Sequence, residues 1–384
     1  MFNTELGLFC HMHENWEELL TQEPYNIKIS EDGPYVMFKY NQLSSDFNNP
    51  IVQEARGIIF RKGEWDNPVC WAFNKFGNYG ESYVPEINWD TAFVSEKIDG
   101  SLIKIWWDGT WHISTNGTID AFKAELGDVR MPNFGEYFVQ TLMKYYNYKS
   151  CYDFTRHLDE DYTYMFELVG PYNRVVVPYD EPAIYFIGAR DKTTGEEFYC
   201  SRTVAGALGM GRFKLPKQYE LSSLEACIMC TDALGWDEEG FVVCDAQFNR
   251  VKIKSPAYVM AHYARNNNVI NRKHLIEVIL AGETKEFLCY ASDYKEELEK
   301  IQNLMNSFCK IGDQIAKSCQ RLCDVPRGTY ANWVKTLPKI YQDLAFRNYN
   351  DIKSTKDYTA SWSANKWDEY LESFEQLREE LFSE

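Results

Sequence analysis

The sequence predicts an α+β protein, with an antiparallel-sheet domain over residues 1–257 followed by an all-helical domain over 258–384. Three observations lead to this. Between about residues 35 and 255 short apolar or alternating runs recur, punctuated by turn pairs such as Asp108-Gly109, Asn116-Gly117 and Thr194-Gly195. Beyond Pro256 the apolar spacing lengthens to that of a helix face. A chain of 384 residues exceeds one ordinary domain and suits two.

The runs that read as strands are, in order, "YVMFKY" from 35, "ARGIIF" from 55, "CWAFNKF" from 70, "FVSEKI" from 93 and "SLIKIWW" from 101. They continue with "WHISTN" from 111, "YTYMFELV" from 162, "AIYFIGAR" from 183, "GFVVCD" from 240 and "RVKIKS" from 250. Helices are expected to interrupt them at about 119–150 and 201–231. In the C-terminal part, Tyr294, Leu298, Ile301, Leu304, Phe308, Ile311, Ile315 and Leu322 recur at helical spacing after a Ser292-Asp293 capping signal. Trp367, Tyr370, Leu371, Phe374, Leu377 and Leu381 repeat the pattern near the end.

With 45 % hydrophobic and 16 % aromatic residues, the chain is globular in composition and far from the disordered class. No apolar run approaches a membrane span, and the N-terminus lacks the basic-then-apolar order of a signal peptide, so the expectation is a soluble, cytoplasmic protein with no membrane partner. Eleven cysteines without a secretory signal suggest reduced thiols, and Cys227 and Cys230 read as small buried hydrophobes rather than a metal site. The formal charge of −17 argues against nucleic-acid binding through a general basic coat. Residues 1–257 carry 23 basic and 38 acidic side chains, net −15, and the remainder 17 and 19, net −2. The near-neutral helical part therefore leaves room for a basic face.

The chemistry concentrates in four segments. In "SEKIDGSLIK", Lys97 and Asp99 project to one side if the strand alternation holds, and Asp99-Gly100 supplies a tight hairpin turn into the next strand. On its own this is either a solvated hairpin tip or a nucleophilic lysine, and a nucleophilic lysine requires desolvation or neighbouring cations to free its lone pair. Glu167 lies among bulky apolar residues in "YMFELVG", where a carboxylate needs a partner such as a ribose hydroxyl or a cation. Glu239-Gly240 opens another apolar strand. Lys252 and Lys254 alternate with Val251 and Ile253, which puts both ammonium groups on one strand face, an arrangement suited to a polyphosphate.

Lys97-x-Asp99-Gly100, "FELVG", "EEGF" and "KIK" resemble, in order and spacing, motifs I, III, IV and V of the covalent nucleotidyltransferases, the superfamily of ATP-dependent RNA and DNA ligases and GTP-dependent capping enzymes. "EARGIIF", "NKF", "EKIDGSL", "FELVGPYNRVVVPY" and "EGFVV…FNRVKIKS" look more closely like the RNA ligase 1 family of T-even bacteriophages, over about residues 35–260. The resemblance implies an ATP-grasp-like ligase (adenylyltransferase) domain followed by helices with a possible RNA-binding role. It implies an ATP-dependent RNA ligase that joins 5′-phosphate and 3′-hydroxyl ends through lysyl-AMP and RNA-adenylate, in repair of RNA such as broken tRNA, with Mg²⁺ or in its place Mn²⁺. An oligomer is not implied.

Carried residue by residue, the resemblance makes Lys97 the nucleophile and has Arg56 and Lys75 contact phosphates or the RNA end. Glu167 would hold the ribose, and Glu239 would orient Lys97 or a metal-bound water. Lys252 and Lys254 would stabilise the α-phosphate, Tyr40 would contact the nucleotide, and Asp99 and Gly100 would belong to the nucleotide pocket. The sequence departs from the family at Gly77, where an aromatic can stand, and at Asn116, where a basic residue can stand. The adenine would stack on an aromatic of the "IYFIGAR" strand, Tyr185 or Phe186. DNA ligases and capping guanylyltransferases remain alternatives, disfavoured because helices rather than an OB-fold follow Ser255. A noncatalytic RNA-binding relative has no reason to keep Lys97 and Glu239 together.

Overall fold

The structure, a computed structural model, describes residues 3–264, 270–322, 324–349 and 354–382. The chain divides into two compact units, residues 1–262 and 263–384. Among the described residues no helix is long and apolar enough to cross a membrane.

The first unit is built on three antiparallel-rich sheets. Lys28–Asp32, Tyr35–Lys39 and Arg56–Arg61 form the first, packed on N-terminal helices around Leu6, Val36, Phe38 and Phe60. The second is five-stranded in the order Glu197–Tyr199, Ala183–Asp191, Tyr162–Val169, Ser101–Trp107, Trp111–Thr115, antiparallel throughout. The third runs Gln218–Tyr219, Phe93–Glu96, Gly240–Cys244, Arg250–Lys254, Gly77–Asn78, and only the last pair is parallel.

The period-2 alternation fixes what each sheet presents. Ile103 and Phe166, paired across their strands, enter the core that also holds Phe138 of helix Phe134–Tyr145. The next pair along, Leu102 and Glu167, faces the opposite way and lines a cavity. In the third sheet Phe241, Val243, Val251 and Ile253 pack on Cys227 of helix Leu224–Asp232, while Ser95, Val242 and Lys252, in register with one another, line the same cavity. Two sheets, each covered by a helix on its far face, thus enclose one site.

Several local expectations differ. Residues 97–100 are not a hairpin: Phe93–Glu96 and Ser101–Trp107 belong to different sheets, so the segment is a crossover between them. "CWAFNKF" forms one bridge, Cys70 to Ile59, and no strand. Its backbone is held by side chains instead: Trp71 N–H donates to Thr163 Oγ1 at 2.9 Å, and Arg190 donates to the Ala72 carbonyl at 3.0 Å. The span 119–150 contains a 3-10 turn, a two-stranded hairpin (Glu125–Asp128 with Met131–Asn133) and one helix, Phe134–Tyr145, with a second short helix following at Cys151–Thr155. The span 201–231 is broken by the short strand Gln218–Tyr219.

The second unit is helical around Lys295–Arg321, whose Leu298, Ile301, Leu304, Met305 and Phe308 are buried, with Phe308 stacked on Tyr341 at 4.9 Å. Beyond Phe308 the buried stripe moves to Gly312, Ala316 and Cys319, leaving Ile311 38 % exposed, because Thr355 packs where a Gly312 side chain would stand. Ser292–Tyr294 forms a 3-10 turn, and the long helix begins at Lys295 without a side-chain cap.

Candidate active site

The cavity between the two sheets has a volume of about 310 Å³. Of the residues singled out in the sequence, it is lined by Arg56, Lys97, Gly100, Glu167 and Lys252. Lys97 sits on the crossover, and its backbone N–H donates to the Gly240 carbonyl at 2.8 Å, which ties the crossover to the start of the next strand. Its ammonium lies 2.7 Å from Glu239 Oε2, and Lys254 lies 3.6 Å from Glu239 Oε1. Glu239 is 5 % exposed, so one buried carboxylate bridges the crossover lysine and the second lysine of "KIK".

Two glycines make this closeness possible. A side chain at Gly100 would stand 2.6 Å from the Leu168 carbonyl. Gly240 has φ +129 and lies against the Ile253 carbonyl, leaving no room for a Cβ beside Glu239.

Burial pushes the Glu167 carboxyl up to about 7, with Lys97 and Arg56 opposing the shift and Glu239 reinforcing it. Arg56 donates to the Phe73 carbonyl at 3.4 Å and lies 5.7 Å from the Phe76 ring centre, and the Lys252 ammonium lies 5.1 Å from the same ring. The site is thus cationic around two carboxylates, with an apolar and aromatic wall that includes Phe73, Phe93, Ile187 and Tyr199.

Four sequence assignments fall elsewhere. Asp99 does not line the cavity: it is 5 % exposed and its carboxylate accepts from Val176 and Val177 N–H at 2.9 and 2.7 Å and from the Tyr258 hydroxyl at 2.8 Å. The strand ends at Glu96, so the alternation that would put Asp99 beside Lys97 does not reach it. Tyr40 and Lys75 lie together outside the cavity, with the Lys75 ammonium 5.0 Å from the Tyr40 ring centre. Phe186 is fully buried in the core and Tyr185 packs with Ile98, Val169 and Ala183. A register shift opposite Met165/Phe166 leaves Ile187 unpaired, and Ile187 takes the cavity-lining position.

Asn116, noted in the sequence only as a departure from the family, lines the cavity, and its Oδ1 is buried with no hydrogen-bond partner among the described residues. The sequence reasoning missed two further groups. Lys104 is fully buried, donates to the Gly57 carbonyl, and has its pKa lowered by burial. Arg250 forms a buried ionic group with Glu197, at 2.6 Å, and Arg190, whose own distance to Glu197 is 3.5 Å. The alternation of "RVKIK" around the noticed lysines was the available signal for Arg250, which precedes Lys252 by two and shares its strand face.

The chain belongs to the RNA ligase family of the T4 RNA ligase 1 type, in the nucleotidyltransferase superfamily: the family model, described as RNA ligase, matches residues 54–258, more than half of the chain. A protein of Autographa californica nuclear polyhedrosis virus, named as a bifunctional polynucleotide kinase/RNA ligase, is 30 % identical over 302 residues, 74 % of this chain and 42 % of its own length. An RNA ligase of Rhodothermus phage RM378 is 27 % identical over 349 residues, 76 % of this chain and 77 % of its own. The chain therefore spans less than half of the first relative and about three quarters of the second. A solved archaeal ATP-dependent RNA ligase overlaps 77 % of this chain and 77 % of its own at 15 % identity, with a TM-score of 0.43, a loose likeness.

Proposed function

We propose that the protein is an ATP-dependent RNA ligase that seals 5′-phosphate to 3′-hydroxyl RNA ends, with tRNA or another structured RNA as the broken substrate. The observation that carries this reading is the ion pair between Lys97 and the buried Glu239, at the floor of a nucleotide-sized cavity with Arg56 and Lys252 on its wall. A lysine so held is a poised nucleophile rather than a solvated strand tip.

In this reading the Lys97 ammonium gives a proton to Glu239, the freed Nζ lone pair attacks the α-phosphorus of ATP, a P–N bond forms as the P–O bond to pyrophosphate breaks, and the second proton of the attacking nitrogen leaves to solvent. The AMP is next displaced from Lys97 by an RNA 5′-phosphate oxygen, and an RNA 3′-hydroxyl then displaces AMP to close the phosphodiester. Arg56, Lys252 and Lys254 supply positive charge for the phosphates, and Glu167 accepts from the ribose hydroxyls. A divalent cation, Mg²⁺ or Mn²⁺, would neutralise charge on the transferring phosphates, with Glu239 as its candidate water-mediated contact. Residues 1–257 carry these steps, and the helical residues from 258 onward are assigned to choosing the RNA.

Incubation with ATP, Mg²⁺ and a 5′-phosphorylated RNA broken in a tRNA anticodon loop tests the reading. Sealed RNA is expected. A preference for nicked DNA duplex, or for GTP as the nucleotide donor, would replace it with the DNA-ligase or capping reading, and inactivity with every substrate would favour a noncatalytic RNA-binding relative.

A further inference from the structure

A second cleft, also of about 310 Å³, adjoins the nucleotide cavity, and Phe76 and Arg250 line both. Its own walls combine aromatic faces with carboxamides: Tyr83 and Phe248 stand with Gln53, Asn74, Gln247 and Asn249. Aromatic faces beside amide donors and acceptors are the chemistry that holds a single-stranded base, by stacking and by hydrogen bonds to its edge.

Two further observations point to a ligand. Lys75 lines this cleft and is only 8 % exposed, yet among the described residues it has no carboxylate partner. Its ammonium has a long contact of 3.5 Å to Gln42 Oε1 and otherwise faces the Tyr40 and Phe47 rings at 5.0 and 4.9 Å. A buried cation without a counter-charge is expensive unless an anion arrives with the ligand.

The second observation is Phe248, held at φ +63, a conformation that bulky side chains rarely adopt. The turn is fixed by Asp245, which is fully buried and whose carboxylate accepts from the backbone N–H groups of Gln247 at 2.9 Å, Asn249 at 3.0 Å and Asn88 at 3.1 Å. The strained ring stacks on Tyr199, itself a wall of the nucleotide cavity, at 5.0 Å. Backbone strain sustained to place a half-buried ring at the mouth of a cleft fits a binding role for that ring.

We propose that this cleft seats one nucleotide of the RNA strand, its base against Phe248 and Tyr83 with the carboxamides at its edge, and its phosphate at Lys75. The inference rests on the RNA-ligase reading and adds where the RNA enters: beside the adenylylated lysine and through the wall formed by Phe76 and Arg250. Gln53 and Asn249 spend their amide nitrogens on Phe47 and Asp245, at 2.8 and 3.0 Å, which leaves their carbonyl oxygens as acceptors for base N–H groups.

Phe248→Gly tests this cleanly, because glycine relaxes the positive φ while removing the ring, so loss of function cannot be blamed on a strained backbone. Gln247→Ala is the companion, since Gln247 is exposed and its carboxamide makes no hydrogen bond among the described residues. Both variants are expected to take label from α-labelled ATP like the wild type. Transfer of that AMP to a 5′-phosphorylated single-stranded RNA should show a KM for RNA raised about ten-fold in Phe248→Gly, with a smaller rise in Gln247→Ala.

A series of RNAs abasic at each of the terminal nucleotides completes the test. At one position the abasic RNA should weaken the wild type while Phe248→Gly adds no further loss. Unchanged RNA transfer in both variants, or a Phe248→Gly defect that persists undiminished with every abasic RNA, would overturn the inference while leaving the ligase reading standing. Failure of the wild type to take label would overturn the ligase reading itself, and the inference with it.

Discussion

Glu239 Oε2 lies 2.7 Å from the Lys97 ammonium across a sheet-to-sheet crossover, and its other oxygen lies 3.6 Å from Lys254. One carboxylate therefore both aligns the proposed nucleophile and offers a destination for its proton. Glu239→Gln keeps the size and removes that charge. The rate of self-adenylylation should fall by about 100-fold or more while the fold is retained, as judged by near-UV circular dichroism. An unchanged rate would remove Glu239 from the chemistry.

Glu167 predicts a pH dependence. Burial raises its carboxyl to about 7, so below neutral pH the folded protein holds it protonated. The stability this group contributes is full below its ordinary value and is lost as pH rises through about 7, because the unfolded chain then releases the proton more readily. Nucleotide affinity runs the opposite way, since the carboxylate is the better acceptor for a ribose hydroxyl. The affinity for AMP should tighten as pH rises to neutrality and then level off, and Glu167→Gln should flatten that slope. A variant that keeps the full pH slope would assign it to another group.

Asp99 predicts a structural loss rather than a contact loss. Its carboxylate joins Val176, Val177 and Tyr258, so it fastens the loop after the 162–169 strand and the helix Pro256–Ala264 to the crossover. Tyr258→Phe should lower unfolding stability by about 1.5–3 kcal/mol, the range for a hydrogen bond to a charged group. Chemical denaturation measures it. The affinity of the folded fraction for ATP should be nearly unchanged, and a large rise in the ATP KM would show that Asp99 acts on the nucleotide after all.

Gly240→Ala should be among the most damaging single changes. The new methyl would meet the Ile253 carbonyl in a strand pair, at a φ of +129 that only glycine adopts easily. A cost of about 3 kcal/mol or more is expected, seen as a lowered Tm, together with loss of self-adenylylation because Glu239 precedes it. A Tm equal to the wild type would mean that the backbone there relaxes freely.

Much of the site was legible because its residues are awkward in a plain β-domain. Glu167 between Phe166 and Leu168, and two lysines alternating with apolar residues, announce a face that is polar and enclosed. What sequence could not convey is which strands pair. Asp99-Gly100 carries turn chemistry, but turn chemistry does not say whether the flanking strands share a sheet, and here they do not. Tyr185 and Phe186 are the aromatics of the strand to which the resemblance points for adenine stacking, but neither faces the cavity. The register shift that exposes Ile187 to the cavity has no local signature in "IYFIGAR" beyond Gly188. Asp99 and Lys75 carry charge in motif positions, yet their surroundings, a hydrogen-bonded loop for one and an aromatic cleft for the other, depend on segments distant in the chain.

The central claim is that Lys97 becomes covalently joined to AMP. Incubation with α-labelled ATP and Mg²⁺, followed by acid and alkali treatment of the denatured protein, tests it most directly. The account predicts label from ATP in an acid-labile, alkali-stable bond, and none in Lys97→Ala. Label that survives in Lys97→Ala, or no label in the wild type, would contradict it.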